Sequence, residues 1–442
     1  MFQIKQLIKM LLQNILLPLL YKMYSRRPVE EGLVLFADAH HSEMPFSMSR
    51  MYEAVCALEE PYVETFITDF DRISFLAMAK YLIHFMQRYA VAEYVFICDY
   101  FLPVSSCDKR PETMVVQLWH ACGMLKKIAY EAKDDIPKGY RGNMFGNYTY
   151  MTVSAGACIA PHERAMRLAP GRTFATGISR TDFYFDEAWN AKCREHFYAE
   201  HPEAQGRRII LWAPTFRGNA ANPRLEGLEE VRRIVGRQAG GAYLIIKAHP
   251  HIDRHEKVSN CEIPTEELLP VADLLITDYS SILFDWLLYR KPMILYTPDL
   301  PEYEAARGFF MDFRSIPFPI AQTEEELVMA MEKMDIRADK DTNSVKNVNG
   351  VKNVKDASKK ETGKTEADFQ IEKGMSGKAE TDFPIEKGMS GKGETDFPIE
   401  KAALGKDWMS THAAEISQFM DLCVGACDGH ATERILQLVG LS

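Results

Sequence analysis

The chain has 442 residues, 47% of them hydrophobic and 26% charged, with a formal net charge of −10. That composition excludes wholesale disorder, and the acidic balance excludes a general nucleic-acid binder, which needs a basic field to release phosphate counterions. The 9 Cys are odd in number and form no CxxC-type pairs, which points to a reduced intracellular protein and not to a disulfide scaffold.

The first predicted element is a helix. Ile4, Leu7, Ile8, Leu11, Leu12, Ile15, Leu16, Leu19 and Leu20 recur at three- and four-residue spacing, with Lys5, Lys9 and Gln13 off the stripe. Lys22, Arg26 and Arg27 follow. Gln13, Asn14 and Pro18 interrupt the apolar run, leaving it short of the ~20 residues of a bilayer span. Residues 1–28 therefore read as an amphipathic helix lying on an anionic membrane surface, against the alternative of a helix packed on the protein's own core. No small-residue cleavage site follows, which disfavours a signal peptide.

From residue 32 short apolar runs alternate with amphipathic stretches. LVLFAD (33–38), YVETFITD (62–69), YVFICD (94–99), MVVQLW (114–119) and TVSA (152–155) are predicted strands of one unit. IILWAPT (209–215), YLIIKAH (243–249), LLITD (274–278) and MILYTP (293–298) belong to a second. Uninterrupted apolar strands separated by helices imply parallel sheets covered on both faces. The expected fold class is α/β, with two Rossmann-like domains, 29–200 and 201–337, facing across a cleft at the carboxyl ends of their strands. Residues 338–405 are rich in Lys, Glu, Asp, Gly and Thr, and a repeat brings Phe369, Phe383 and Phe397 into register. Such a stretch buries too little apolar surface to offset its ordering entropy and reads as a flexible insertion. Helical patterns resume over 406–442 and are expected to pack back on the core.

Polar residues gather at the predicted strand ends: His120, then Thr215 and Arg217, then Lys247 and His249, then Ser280 and Ser281 opening a helix after Asp278. Backbone N–H groups and hydroxyls at a helix start cradle phosphate. Arg217 and Lys247 would supply positive charge, and two histidines suit proton transfer and oxyanion stabilisation. Singly, each has a plain structural reading: a hydrogen-bonded histidine, capping serines, a surface ion pair. Their common position at strand ends favours a ligand site. Asp69-Phe70-Asp71 forms a DxD, the pattern of metal-dependent nucleotide-sugar transferases, but between a strand and a helix it reads as a cap. Cys423 and Cys427, without a second pair, read as packing residues. Neither a metal nor a cofactor is expected.

WHxxxxLKK, APTFR, KxHP, TDYSSxxFD, the run KPMILYTPDLPEYEAARGFFMDF (291–313) and DGHATERI (428–435) resemble the CDP-glycerol glycerophosphotransferases of teichoic-acid synthesis. The resemblance implies a GT-B fold with an acceptor domain followed by a CDP-glycerol-binding domain. It also implies peripheral attachment to the cytoplasmic face of the cell membrane. The implied reaction moves glycerol phosphate, or a related polyol phosphate, from CDP-glycerol to a polyprenyl- or glycolipid-linked acceptor and releases CMP. By motif, His120 matches a candidate general base and His249 the histidine at the pyrophosphate, with the two roles exchangeable. Arg180 in TGISRTD, Arg217, Ser280, Ser281 and Asp285 match the family's substrate-binding segments. The chain departs from the family at WHACGMLKK, where Ala121 replaces a glycine and one residue is added, and at Ser179, where the family has proline. Two rivals stand beside this reading: a GT-B glycosyltransferase using a nucleotide sugar, and a non-catalytic membrane-bound scaffold. A homo-oligomer is compatible with all of them.

Overall fold

A computed structural model describes residues 2–133, 135–136, 139–219, 222–237, 241–334 and 408–441. The predicted repeat insertion lies outside the described residues. Six parallel strands form the first sheet: β1 (Glu30–Asp38), β2 (Tyr62–Ile67), β3 (Ala92–Ile97), β4 (Met114–Gln117), β5 (Tyr150–Thr152) and β6 (Thr173–Phe174). Their order is β2-β1-β3-β4-β5-β6. The second half begins with β7 (Ile209–Ala213). A two-stranded antiparallel ribbon of β8 (Arg217–Asn219) and β9 (Asn222–Arg224) follows. It continues with β10 (Tyr243–Ile246), β11 (Leu274–Thr277), β12 (Met293–Tyr296) and β13 (Ile320–Ala321). The second sheet is also parallel, in the order β10-β7-β11-β12-β13.

Strands β7, β11 and β12 are buried along their whole length, as uninterrupted apolar runs require when helices cover both faces. The mixed α/β class with parallel sheets is thus observed. The TVSA run differs from expectation: β5 ends at Thr152, because Ser154 turns away to donate its hydroxyl to the Cys423 carbonyl (2.6 Å) and to accept from the Gly123 N–H (2.7 Å). β6 and β13, two residues each, are too short to leave a periodic signal.

The N-terminal segment is helical over Phe2–Leu11 and Leu17–Tyr24, joined by a wide π-helical turn at Leu12–Leu16 just ahead of Pro18. Proline offers no N–H and crowds the preceding turn, so the ladder is loosened there. Lys9 and Gln13, off the predicted stripe, face the protein. Gln13 is 1% exposed and donates to the Asn143 carbonyl (2.6 Å), and Leu17 and Tyr21 are buried beside it. Part of the stripe points outward, with Leu7, Leu11, Ile15 and Leu19 between 47% and 64% exposed, while Leu12 and Leu20 pack against the core. Among the described residues no helix is long and apolar enough to cross a membrane.

The C-terminal helices Ala413–Val424 and Ala431–Val439 belong to the same compact unit as both sheets. Asp182 of the TGISRTD segment caps the last helix, its two carboxylate oxygens accepting the N–H groups of Ala431 (3.0 Å) and Thr432 (2.7 Å). Gly177 lets this happen: it sits at φ +84°, and a β-carbon there would lie 2.3 Å from the Ala426 carbonyl oxygen.

Candidate functional site

In an open parallel sheet the loops diverge where the strand order reverses, leaving a crevice beyond the carboxyl ends of the two strands involved. In the first sheet that point lies between β1 and β3, in the second between β7 and β11. The residues just beyond these four strands are His40 and His41, Asp99, Thr215 and Arg217, and Ser280 and Ser281.

His120 follows β4. Its Nδ1 lies 3.3 Å from the Cys98 carbonyl oxygen and 3.7 Å from an Asp99 carboxylate oxygen. A carbonyl only accepts, so Nδ1 carries the hydrogen and Nε2 of the neutral ring is left as the acceptor. The loop backbone is left-handed at Trp119 (φ +57°), a conformation uncommon for a bulky non-glycine residue. The first glycine of this loop is Gly123. There φ is +63°, and a β-carbon would lie 2.5 Å from the Phe284 ring of the second half.

Beyond β1 the buried Asp38 carboxylate accepts from the His40 N–H (2.7 Å), the His41 N–H (2.9 Å) and His41 Nδ1 (2.9 Å). That carboxylate raises the His41 imidazole above its ordinary range. Burial alone would raise the Asp38 carboxyl, but the bonds from His41 and the His40 N–H outweigh it and hold it below the usual carboxylate range.

On the second sheet Asp278 organises the strand ends. Its Oδ1 accepts from the N–H groups of Thr215 (2.8 Å) and Tyr279 (2.6 Å), and its Oδ2 from Arg217 Nη1 (2.9 Å). Arg217 also makes a two-pronged pair with Asp299, at 2.5 and 2.9 Å, beside the stacked rings of Tyr279 and Tyr303. Burial opposes its charge, but Asp299 and Asp278 more than offset this and keep the guanidinium protonated. The Thr215 hydroxyl is buried without a hydrogen-bond partner. Lys247 Nζ donates to the Cys261 carbonyl (3.0 Å), and His249 packs its ring against Phe216, centroids 4.6 Å apart.

Arg180 and Asp285 join the two halves directly. Arg180 Nη2 donates to Asp285 (2.9 Å), Nη1 to the Tyr184 hydroxyl (2.7 Å) and Nε to the His120 carbonyl (3.2 Å). Each spends its charge on the other, and the arginine steadies the His120 loop. A cavity of about 390 Å³ is lined by His41, His120, Arg180, Ser280, Ser281 and Asp285, among others. A second, of about 470 Å³, shares only His120 and Ser281 with it. Of the predicted site residues, His120, Arg180, Ser280, Ser281 and Asp285 are thus brought together. Thr215, Arg217, Lys247 and His249 lie at neighbouring strand ends of the second sheet and line neither cavity.

Asp38, His41, Asp99 and Lys126 were not singled out from sequence. The signal for the first two was present: FADAHH ends a strand as TDYSS does. Asp69 does not cap the following helix. It closes a turn, accepting from the Asp71 N–H (3.0 Å) and pairing with Arg72 (3.0 Å), while Ser74 caps the helix Phe75–Tyr89. Among the described residues no group of three or more His, Cys, Asp or Glu is arranged to hold a metal.

Two parallel sheets with polar groups at both reversal points define a mixed α/β protein. The family described as CDP-Glycerol:Poly(glycerophosphate) glycerophosphotransferase matches residues 19–360, and the chain belongs to it. The teichoic acid poly(ribitol-phosphate) polymerase of Bacillus spizizenii is 31% identical over 70% of this chain, which spans only 52% of that relative's length. The teichoic acid ribitol-phosphate primase of the same organism is 27% identical over 71% of this chain and 85% of its own. The teichoic acid glycerol-phosphate primase of Bacillus subtilis is 30% identical over 49% of this chain and 59% of its own. The wall teichoic acid polymerase TagF superposes with a TM-score of 0.63 at 16% identity, over 99% of this chain and 97% of the other, a likeness of fold.

Proposed function

We propose that the chain transfers glycerol phosphate, or a related polyol phosphate, from its CDP-linked form to a hydroxyl of a lipid-linked acceptor, releasing CMP. The observation that carries this reading is a single cavity lined by His120 from the first half and by Ser280 and Ser281 from the second. In the proposal residues 29–200 form the acceptor half and 201–337 the donor half of a GT-B-like pair. The acceptor hydroxyl attacks the β-phosphorus in line, its proton passing to His120 Nε2 as CMP departs. The Ser280–Ser281 helix start holds the diphosphate, with Thr215 and His249 at neighbouring strand ends of the same sheet. Arg217, held between Asp278 and Asp299, shapes that surface. Catalysis is then positioning plus electrostatics. The outward stripe of Leu7, Leu11, Ile15 and Leu19, followed by Lys22, Arg26 and Arg27, supports peripheral attachment to an anionic membrane.

A donor screen tests the reading. With CDP-glycerol, CDP-ribitol and UDP-sugars supplied in turn, CMP is expected from a CDP-polyol. UDP release, or no release from any donor, overturns it. His120→Ala is expected to slow transfer by ~10²–10⁴-fold; wild-type rates in that variant remove His120 from the role.

A further inference from the structure

A transferase must bring two substrates to one proton acceptor, and this chain has two cavities that meet at His120 and Ser281. We infer that the larger one, of about 470 Å³, is the acceptor site and takes a hydroxyl-bearing polyol- or sugar-type chain end. This rests on the transferase reading and specifies which cavity serves which substrate.

Three observations carry it. First, the linings differ. The smaller cavity presents Ser280, Ser281, His41 and His120, hydroxyls and imidazoles suited to a phosphate, beside Glu266 and the already paired Arg180 and Asp285. The larger presents Trp119, Tyr100, Phe145 and Phe310, with the Asp99 carboxylate and with Asp135 paired to Arg307. Rings receive the C–H faces of a polyol or sugar, and carboxylates accept from its hydroxyls. Second, the outer wall of the larger cavity is tied to the N-terminal helix. Lys9 Nζ lies 4.6 Å above the Tyr100 ring, and Gln13 binds the carbonyl of Asn143, next in sequence to the lining residues Met144 and Phe145. A chain end presented on the surface where that helix lies therefore reaches His120 through this cavity. Third, the second half closes over it. Lys127 N–H donates to the Gly308 carbonyl (3.1 Å) and Phe310 N–H to Leu125 (2.8 Å), an antiparallel clip that sets Phe310 and Lys126 into the wall. Arg307 is held there by Asp135, with a contact at 2.6 Å.

The test uses the full chain, the CDP-polyol that releases CMP in the donor screen, and octyl phosphoglycerol as the acceptor probe. Phe310→Ala and Ile136→Trp, which empty and fill the cavity, are expected to raise the KM for the probe at least about tenfold. Donor KM and the acceptor-independent release of CMP are expected to stay within about twofold. Phe310→Tyr keeps the ring and is expected to keep the wild-type probe KM, which separates a cavity effect from misfolding. A parallel rise in donor KM, an unchanged probe KM in both variants, or no saturable transfer to the probe by the wild type overturns the assignment. Failure of the transferase reading is seen separately, as no CMP from any CDP-polyol.

Discussion

The Arg180–Asp285 pair can be read as a ligand-binding group or as the bolt between the two halves, and Asp285→Ala separates the two. Both residues are 6% exposed, and the charges lie 2.9 Å apart. At an effective dielectric near 20 the gross attraction is about 5–6 kcal/mol. In the variant Arg180 stays buried, having given up its hydration, and keeps only the Tyr184 and His120 bonds. Removing one partner of such a pair costs about 3–5 kcal/mol, because the remaining charge is unpaired. Arg180→Met with Asp285→Leu removes both charges and is expected to return to within about 2 kcal/mol of wild type, the excess of the single variants measuring the coupling. Urea unfolding followed by tryptophan fluorescence reads both quantities, since Trp286 adjoins the pair in sequence. If Asp285→Ala unfolds within about 1 kcal/mol of wild type while donor KM rises tenfold or more, Asp285 acts on a ligand and the bolt reading fails.

Gly177→Ala, at φ +84° and 2.3 Å from the Ala426 carbonyl oxygen, is expected to lose at least about 1–2 kcal/mol in urea unfolding; wild-type stability would show that the Ala426 segment does not approach this closely. The protonated His41 ring, its pKa raised by Asp38, contributes stability fully below its unfolded value of about 6.5 and loses it as pH rises through the raised folded value. Asp38, held low, contributes above about pH 4 and loses that contribution as pH falls through its lowered value. The melting-temperature gap between wild type and His41→Ala is therefore expected to be widest between about pH 4 and 6.5 and to narrow as pH rises through the raised folded value. A gap that is flat with pH refutes the dyad. Leu11→Ser with Leu19→Ser, both on the exposed stripe, is expected to leave stability within about 1 kcal/mol while cutting co-sedimentation with anionic vesicles at least about tenfold. Undiminished sedimentation removes these residues from membrane attachment.

Much of the fold was legible along the chain. The apolar runs that became β1, β3, β4, β7, β11 and β12 carry their own signal, because a strand buried on both faces must be apolar throughout, whereas TVSA shares only Thr152 with β5 and the edge strand β2 is largely unburied. The convergence of His120, Ser280 and Ser281 followed from one rule, that parallel strands present their carboxyl ends to a common crevice. The same rule applied to FADAHH would have found Asp38 and His41, which were passed over because no phosphate-binding or proton-transfer pattern surrounds them. Asp69 was misplaced by one turn, since the DxD spacing hides that Ser74 is the better cap.

What the sequence by itself determined is whatever depends on neighbours a few residues apart: strand and helix periodicity, the apolar stripe of the N-terminal helix, and the charged and hydroxylated residues at strand ends. It could not say which face of that helix turns inward, and the structure buries Gln13 and leaves Leu19 outside. Nor could it say which cations are free. Arg217 pairs with residues 61 and 82 positions away and Arg180 with one 105 away, so both are committed to carboxylates before any ligand arrives. Ion pairs and cavities depend on sheet order and on how the two halves close, and both arise from contacts distant in the chain. The meeting of two cavities at His120 is such a product. The strand-end histidine is local chemistry, but the two spaces that reach it exist only once both sheets are packed.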